Sequence, residues 1–324
     1  MVVNFGSKQL KQHNSPQAQV REISLGSLVW IDIIKPVKSD IDKIGSRFKF
    51  HELLLEDCLT EHQRSKVDDF GDYCFIVLHL PRYKKDIVSL ESEEIDIFLG
   101  HDYLITLHEG ELKPLVQLSD LCYSDEGARI EHMSEGSAIL LYEIIKRLFD
   151  YCFPMLDKIQ IMLNEINRSV FKNTSKSMLE YIARTKLQII NYRKVIKPLR
   201  PVILTLEKVI KKFLTEDLEV YFDDITDKAE KIWDMLENHK EVIESIDSTF
   251  SSLTNQKNNS LMAIFTIIQI TILPMVLVGG LFSMNVDGIP LHNIHGAFWI
   301  VFGMIMVPTV IIIILINANR KKFF

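Results

Sequence analysis

Two apolar runs near the C-terminal end set the first limit on what this chain can fold into. No Asp, Glu, Lys or Arg occurs from Asn258 to Val286, and none from Gly288 to Asn319. Within these stretches, Leu261 to Phe282 and Phe298 to Ile316 are apolar almost throughout. At ~1.5 Å rise per residue, a helical run of about 20 residues crosses ~30 Å of hydrocarbon. Two such runs side by side predict a membrane-spanning hairpin; a pair of buried core helices is the ordinary alternative. Composition adds that the rest is a folded chain. Of 324 residues, 47% are apolar and 25% charged, with a net charge of -6, which is not the signature of disorder. Met1 to Ser24 is polar and lacks the apolar core of a signal peptide.

Orientation follows from the basic residues flanking the spans. Lys257 precedes the first, Arg320, Lys321 and Lys322 follow the second, and Val286 to Ala297 has none. Both termini are therefore expected in the cytoplasm, with the chain a multi-pass protein of the cell inner (plasma) membrane. The four cysteines, Cys58, Cys74, Cys122 and Cys152, form no CxxC pair. They imply a reducing compartment and neither a disulfide framework nor a zinc ribbon.

From Ser27 to about Gly110, short β-rich runs recur: 28–31, 74–78, 95–99 and 102–106. Helical patterns separate some of them, so this part reads as a small mixed α/β domain. Beyond Gly136 the texture changes. No glycine occurs from Ser137 to Val278 and no proline from Val202 to Leu273. Long helices are predicted near 138–167, near 176–213, and from about Asp217 into the first span. The last would be on the order of 90 Å long if unbroken.

That third helix carries a countable pattern. Ile225, Ala229, Ile232, Leu236, His239, Ile243, Ile246, Phe250 and Leu253 are spaced 4 and 3 in alternation, and only His239 is polar. This is a heptad seam, which buries one stripe against other helices. The partners can be copies of itself around an axis or helices of its own chain. Charge is divided too. Asp217 to Gln256 holds eleven acids against three lysines, and Ile182 to Phe213 holds nine bases against one acid, Glu207. Antiparallel packing would neutralise both helices; an acidic stalk leading into a membrane would also concentrate cations.

No phosphate-binding loop, HExxH, GxSxG or paired CxxC is present. An enzyme is not indicated, nor is an organic cofactor or nucleic acid. The polar residues of the first span are more informative, because polar groups in a bilayer usually face other helices or a watery path. Asn259, Met262, Thr266, Gln269, Leu273, Val276 and Gly280 recur three or four apart, on one helical face. That face can line a pore or mediate plain helix packing. His292 and His295 share the short connecting loop, at a spacing that a transition metal could use.

These residues resemble the CorA-type magnesium and divalent cation transporter family over nearly the whole chain. The family has two spans at the extreme end, a short outer loop and a basic tail, matched here by Arg320-Lys321-Lys322-Phe323-Phe324. Its first span ends in an aromatic residue and Gly-Met-Asn; here the site reads Phe282-Ser283-Met284-Asn285. Asn259-Ser260-Leu261-Met262, Thr266-Ile267-Ile268 and Leu273-Pro274 are similar to the family's first span. Leu55-Glu56-Asp57, His62-Gln63-Arg64-Ser65-Lys66-Val67 and Tyr73 to Leu78 match a stretch of its soluble domain. Val220-Tyr221-Phe222-Asp223-Asp224 matches the start of its stalk.

The resemblance implies a funnel-shaped homopentamer, with an α+β cytoplasmic domain, a long helical stalk and two C-terminal transmembrane helices. The sequence itself divides into a flexible leader at 1–24, the α/β domain at 25–135 and long helices at 136–216. The stalk at 217–285 continues into a first span at 261–283. An outer loop at 286–297, a second span at 298–317 and a basic tail at 318–324 complete the chain. The resemblance further implies a selectivity filter of Ser283, Met284, Asn285 and Asp287, with a ring of Asn285 amides holding hydrated Mg2+. Mg2+ sheds water reluctantly and prefers oxygen, so neutral carbonyls suit it. Met262 and Leu273 would be apolar constrictions.

Gating in the family uses cytoplasmic Mg2+ bridging acids of neighbouring subunits. Asp57 matches one of these acids. Ser248 stands at the position of the other, with Asp247 beside it, and Asp224 is a third regulatory candidate. Three further departures concern the pathway: Ser283 replaces glycine, Leu291 replaces an acid, and Gln269 replaces a small residue. The function expected is divalent cation transport, with Mg2+ as substrate and possible regulatory ligand. The partners expected are lipid, divalent cations and further copies of the chain. Transport of Zn2+, Co2+ or Ni2+ and a non-conducting scaffold or regulator are the alternatives.

Overall fold

The structure, a computed structural model, describes residues 19–60, 64–84, 89–172, 175–213, 219–284 and 295–318. The chain divides into two units: Met1–Ser169 with Lys176–Ile246, and Val170–Ser175 with Asp247–Phe324.

The first unit is organised by a sheet of β1 (Gln19–Leu25), β2 (Leu28–Ile34), β3 (Lys66–Asp69), β4 (Tyr73–Lys84), β5 (Ser89–Gly100) and β6 (Tyr103–His108). The strand order is β1-β2-β6-β5-β4-β3. β2 and β6 run parallel and the other neighbours antiparallel. The four β-rich runs of the sequence fall in β2, β4, β5 and β6. β1 corrects the leader expected at 1–24, because Gln19 to Ser24 pair with β2 in register Gln19↔Ile34 to Ser24↔Val29. The turn between them is made by Gly26 at φ +58°, a conformation that costs glycine little. Residues 1–18 lie outside the described residues.

Alternation sorts the strands' side chains onto two faces. One face carries Ile31, Ile33, Phe75, Val77, Phe98, Ile105 and Leu107. It packs on α1 (Lys38–Phe48) and α2 (Glu52–Asp57) through Ile41, Ile44, Leu54 and the ring of Phe50. Phe50 and Phe98 stack at 4.2 Å between centroids. The opposite face is covered by helices that follow β6. These are α3 (Lys113–Ser124), α4 (Glu126–Met133), α5 (Ser137–Asp150), α6 (Phe153–Ser169) and α7 (Lys176–Ile210). α5 lies against β5 and β6, and α7 against β4 and β5.

The helix predicted over 138–167 is two helices, α5 and α6. The break falls at Tyr151 and Cys152, just before Pro154. A proline has no amide hydrogen to continue a helix, but it fits the first turn of a new one. The Cys152 carbonyl freed at the break accepts the Tyr192 hydroxyl of α7 at 2.9 Å.

α8 (Glu219–Phe282) is continuous. Its heptad stripe from Ile225 to Ile246 is buried within the single chain, including His239. The partners are therefore helices of its own chain. Arg200 donates two hydrogen bonds to Glu230 and Arg193 donates one to Glu237. Thr226 donates to Glu207 at 3.1 Å. The positions run in opposite directions on the two helices, so α7 and α8 are antiparallel. Trp233 lies between the two guanidinium groups, at 5.3 Å from Arg193 and 5.2 Å from Arg200. The basic and acidic helices thus neutralise one another. His239 meets Gln160 of α6 at 3.1 Å.

The second unit contains the end of α8 and α9 (Ala297–Ala318). The last 22 residues of α8, from Leu261, are apolar and largely exposed, as is α9.

Candidate functional site

The end of α8 has two unlike faces. Ser260, Ala263, Ile267, Thr271, Pro274, Met275, Val278 and Phe282 are half-buried. They recur at helical spacing and form one stripe. Asn259, Met262, Thr266, Gln269, Leu273, Val276 and Gly280 are all exposed, with Met262 at 68% and Leu273 and Val276 at 64%. At ~100° per residue the two sets point to roughly opposite sides of the helix. α9 has its own covered stripe at Val301, Ile305, Thr309 and Ile312. The predicted pore residues are thus together on one open face, and that face is not the one already covered in the single chain.

The hydroxyls here are satisfied along their own helices. Thr266 donates to the Met262 carbonyl at 2.9 Å, Thr271 to Ile267 at 2.8 Å and Thr309 to Ile305 at 2.8 Å. Their protons cost nothing in a hydrocarbon setting, and each oxygen keeps acceptor capacity. The Gln269 amide is a larger polar group on the open face. Gly279 and Gly280 have open space where a Cβ would stand.

α8 stops at Phe282. The Ser283 amide donates to the Gly279 carbonyl at 3.0 Å and the Gly280 carbonyl at 3.2 Å, and the Met284 amide reaches Leu281 at 3.4 Å. Positive φ among the described non-glycine residues is confined to Lys35 and Lys49. Serine therefore stands at position 283 without backbone strain, and no glycine conformation is demanded there. Ser283 and Met284 are exposed. Asn285, Asp287, Leu291 and His292 lie outside the described residues; His295 is exposed in the turn before α9.

The three regulatory candidates have separate surroundings. Asp57 ends α2, and its Oδ2 lies 3.0 Å from Lys66 Nζ of β3. Lys66 Nζ also lies 2.9 Å from Asp68 Oδ2, and 5.4 Å from the centre of the Phe75 ring. Burial alone would lower the Lys66 pKa; hydrogen bonds to Asp68 and Asp57 outweigh it and hold the ammonium above its ordinary value. Asp224 on α8 accepts the Tyr142 hydroxyl at 3.2 Å. Burial, then the charge of Asp224, pushes the Tyr142 phenol well up. Asp247 is half-buried and Ser248 exposed. Among the described residues, no group of three or more His, Cys, Asp or Glu is arranged to hold a metal within one chain.

Two features were not singled out from sequence. Lys66 had a legible signal, since Lys66-Val67-Asp68 places two opposite charges on one face of a strand. The other is a buried polar group on the sheet. Asp32 Oδ1 accepts Thr106 at 2.6 Å and lies 3.0 Å from His108 Nε2, and Thr106 accepts the Trp30 indole at 3.1 Å. The Gly110 amide donates to His108 Nδ1 at 3.0 Å, so the ring proton sits on Nε2 and points at Asp32.

A profile of the CorA-like Mg2+ transporter protein family matches residues 26–322. The cobalt/magnesium transport protein CorA of Thermotoga maritima is 27% identical over 297 residues, covering 90% of this chain and 82% of that protein. The cobalt/magnesium transport protein CorA of Methanocaldococcus jannaschii is 23% identical over 295 residues, covering 91% and 90%. The complete structure of the CorA magnesium transporter from the same organism has a TM-score of 0.76 at 22% identity, covering 92% of this chain and 93% of that one. The fold shared with that structure is a mixed α/β unit followed by a long helix that ends in an apolar segment. The chain belongs to the CorA-like Mg2+ transporter family and is a divalent cation transporter of that family.

Proposed function

We propose that the protein is a homopentameric channel that passes Mg2+ along the open face of α8. The observation that carries this reading is the exposure of Asn259, Met262, Thr266, Gln269, Leu273, Val276 and Gly280 opposite the covered stripe. Five copies of such a face around an axis enclose a path lined by amides, a hydroxyl and apolar constrictions. Asn285 closes its outer end as a ring of carbonyl oxygens, with Ser283, Met284 and Asp287 beside it. Neutral oxygens suit a hydrated, hard cation, and the spans offer no Cys or His to a softer metal. The unstrained backbone at Ser283 supports a working filter despite the lost glycine. Magnesium is the first substrate by this chemistry; cobalt is the second, on the names of the two relatives. The distribution of Lys and Arg supports two spans in the plasma membrane with both termini in the cytoplasm. On this reading Asp57, with Asp247 and Asp224, senses internal Mg2+ between subunits and favours the closed state.

The test is flux into liposomes of the purified full-length protein, with Mg2+, Co2+, Zn2+ and Ni2+ offered separately. Wild-type protein should pass Mg2+, and Asn285→Ala should lose most of that flux or its preference among ions. Equal background flux in both proteins rejects the channel.

A further inference from the structure

The cation position next to Asp57 is already taken by a side chain. Lys66 Nζ stands 3.0 Å from Asp57 Oδ2 and 2.9 Å from Asp68 Oδ2, and over the buried Phe75 ring. Charge-assisted hydrogen bonds of this length are the strong kind. The lysine is tethered to β3 beside α2, and its side chain is only 31% exposed. It is therefore held at high local concentration next to the carboxylate. A free divalent ion arriving at Asp57 meets a neutralised acid and a positive charge within a few ångströms.

We propose that Lys66 is a built-in competitor for the divalent ion at Asp57, and that it sets the Mg2+ concentration at which regulation occurs. The inference rests on the reading of Asp57 as a regulatory ligand. Asp68 completes the device. With both acids present, the ammonium is shared between two carboxylates and is the more easily drawn from Asp57. Without Asp68, the ammonium has only Asp57 to hold, and the local negative charge falls. The two substitutions therefore act with opposite sign. Removing the lysine charge eases Mg2+ binding, and removing Asp68 hinders it.

The measurement is the Mg2+ midpoint for protection of the full-length protein from limited proteolysis, at low ionic strength. Lys66→Met keeps the stem and removes the charge, and Lys66→Gln gives a second version should one fold poorly. Both should lower the midpoint about tenfold, equivalent to ~1.4 kcal/mol. Asp68→Asn should raise it, and Lys66→Arg should leave it near wild type. The shifts should shrink as salt screens the charges. Lys43→Met, which removes the exposed lysine paired with the buried Asp40 on α1, should not move it. An unchanged or raised midpoint in both neutral Lys66 variants, while Asp57→Asn abolishes protection, overturns the competitor alone. Unchanged protection in Asp57→Asn overturns the regulatory reading and this inference with it.

Discussion

Buried charge decides how single residues respond to pH in the first unit. Asp32 and Glu93 lie on the same face of the sheet in opposite situations. Burial would raise the Asp32 pKa, but hydrogen bonds from His108, Ser119 and Thr106 outweigh it and hold the carboxyl below its ordinary value. Its stabilisation is present at neutral pH and is lost as pH falls through that depressed value. Burial pushes the Glu93 carboxyl up to about 7 from an ordinary 4.5, with Arg82 pulling it down and Glu109 and Glu111 pushing it up. A raised acid binds its proton more tightly when folded, so stability falls as pH rises from 4.5 towards 7. Glu93→Gln should flatten thermal stability over that window and raise the melting temperature at pH 8; an unchanged pH slope contradicts the assignment. None of this was legible in sequence, because one carboxylate among many gains its role only from strand register. Lys66-Val67-Asp68 is visible in the sequence, but the ion pair of Lys66 with Asp57 at 3.0 Å appears only once β3 and the end of α2 are folded.

Periodicity marks a buried stripe on a helix without naming the partner that buries it. The heptad from Ile225 to Ile246 was countable, yet such a stripe fits a neighbouring subunit or a neighbouring helix equally well. The ion pairs Arg200–Glu230 and Arg193–Glu237 assign it to α7 of the same chain. The opposite charges of the two helices were the correct hint, since each would repel its own kind. Ile232 and Leu236 are fully buried in that seam. Ile232→Ala should cost ~2–5 kcal/mol, the range for a large-to-small core change. Val276→Ala, on the open face, should cost far less in the isolated subunit. Chemical denaturation of detergent-solubilised protein compares the two, and equal costs would remove the seam from the core. β1 is hidden in the sequence because its exposed residues, Gln19, Val20 and Glu22, do not mark a strand until Ile23 is seen against Trp30. The α5–α6 break is hidden because Pro154 stands inside an otherwise helical pattern.

For the whole molecule the decisive question is which face of α8 meets water in the pentamer proposed above. Hydropathy cannot answer it, since every side of this segment is apolar enough for lipid. Exposure in the single chain narrows the choice, because the stripe through Ala263, Ile267, Thr271 and Val278 is already covered. Cysteine scanning from Asn259 to Gly280 with a membrane-impermeant thiol reagent reads the remaining face directly. The native thiols are a quiet background. Cys58, Cys74, Cys122 and Cys152 are all buried. Burial pushes Cys74 and Cys152 up to about 12 and Cys122 up to about 11, and a protonated thiol does not react. Introduced cysteines at Met262, Thr266, Gln269, Leu273, Val276 and Gly280 should react, with a period of ~3.6 residues, and Mg2+ should slow them. Those at Ala263, Ile267 and Val278 should not. A path along α8 predicts both the period and the Mg2+ protection. Reaction without period, or strongest on the covered stripe, would place the aqueous route elsewhere. Periodic reaction that Mg2+ does not slow would leave a water-lined face that is not the ion's path.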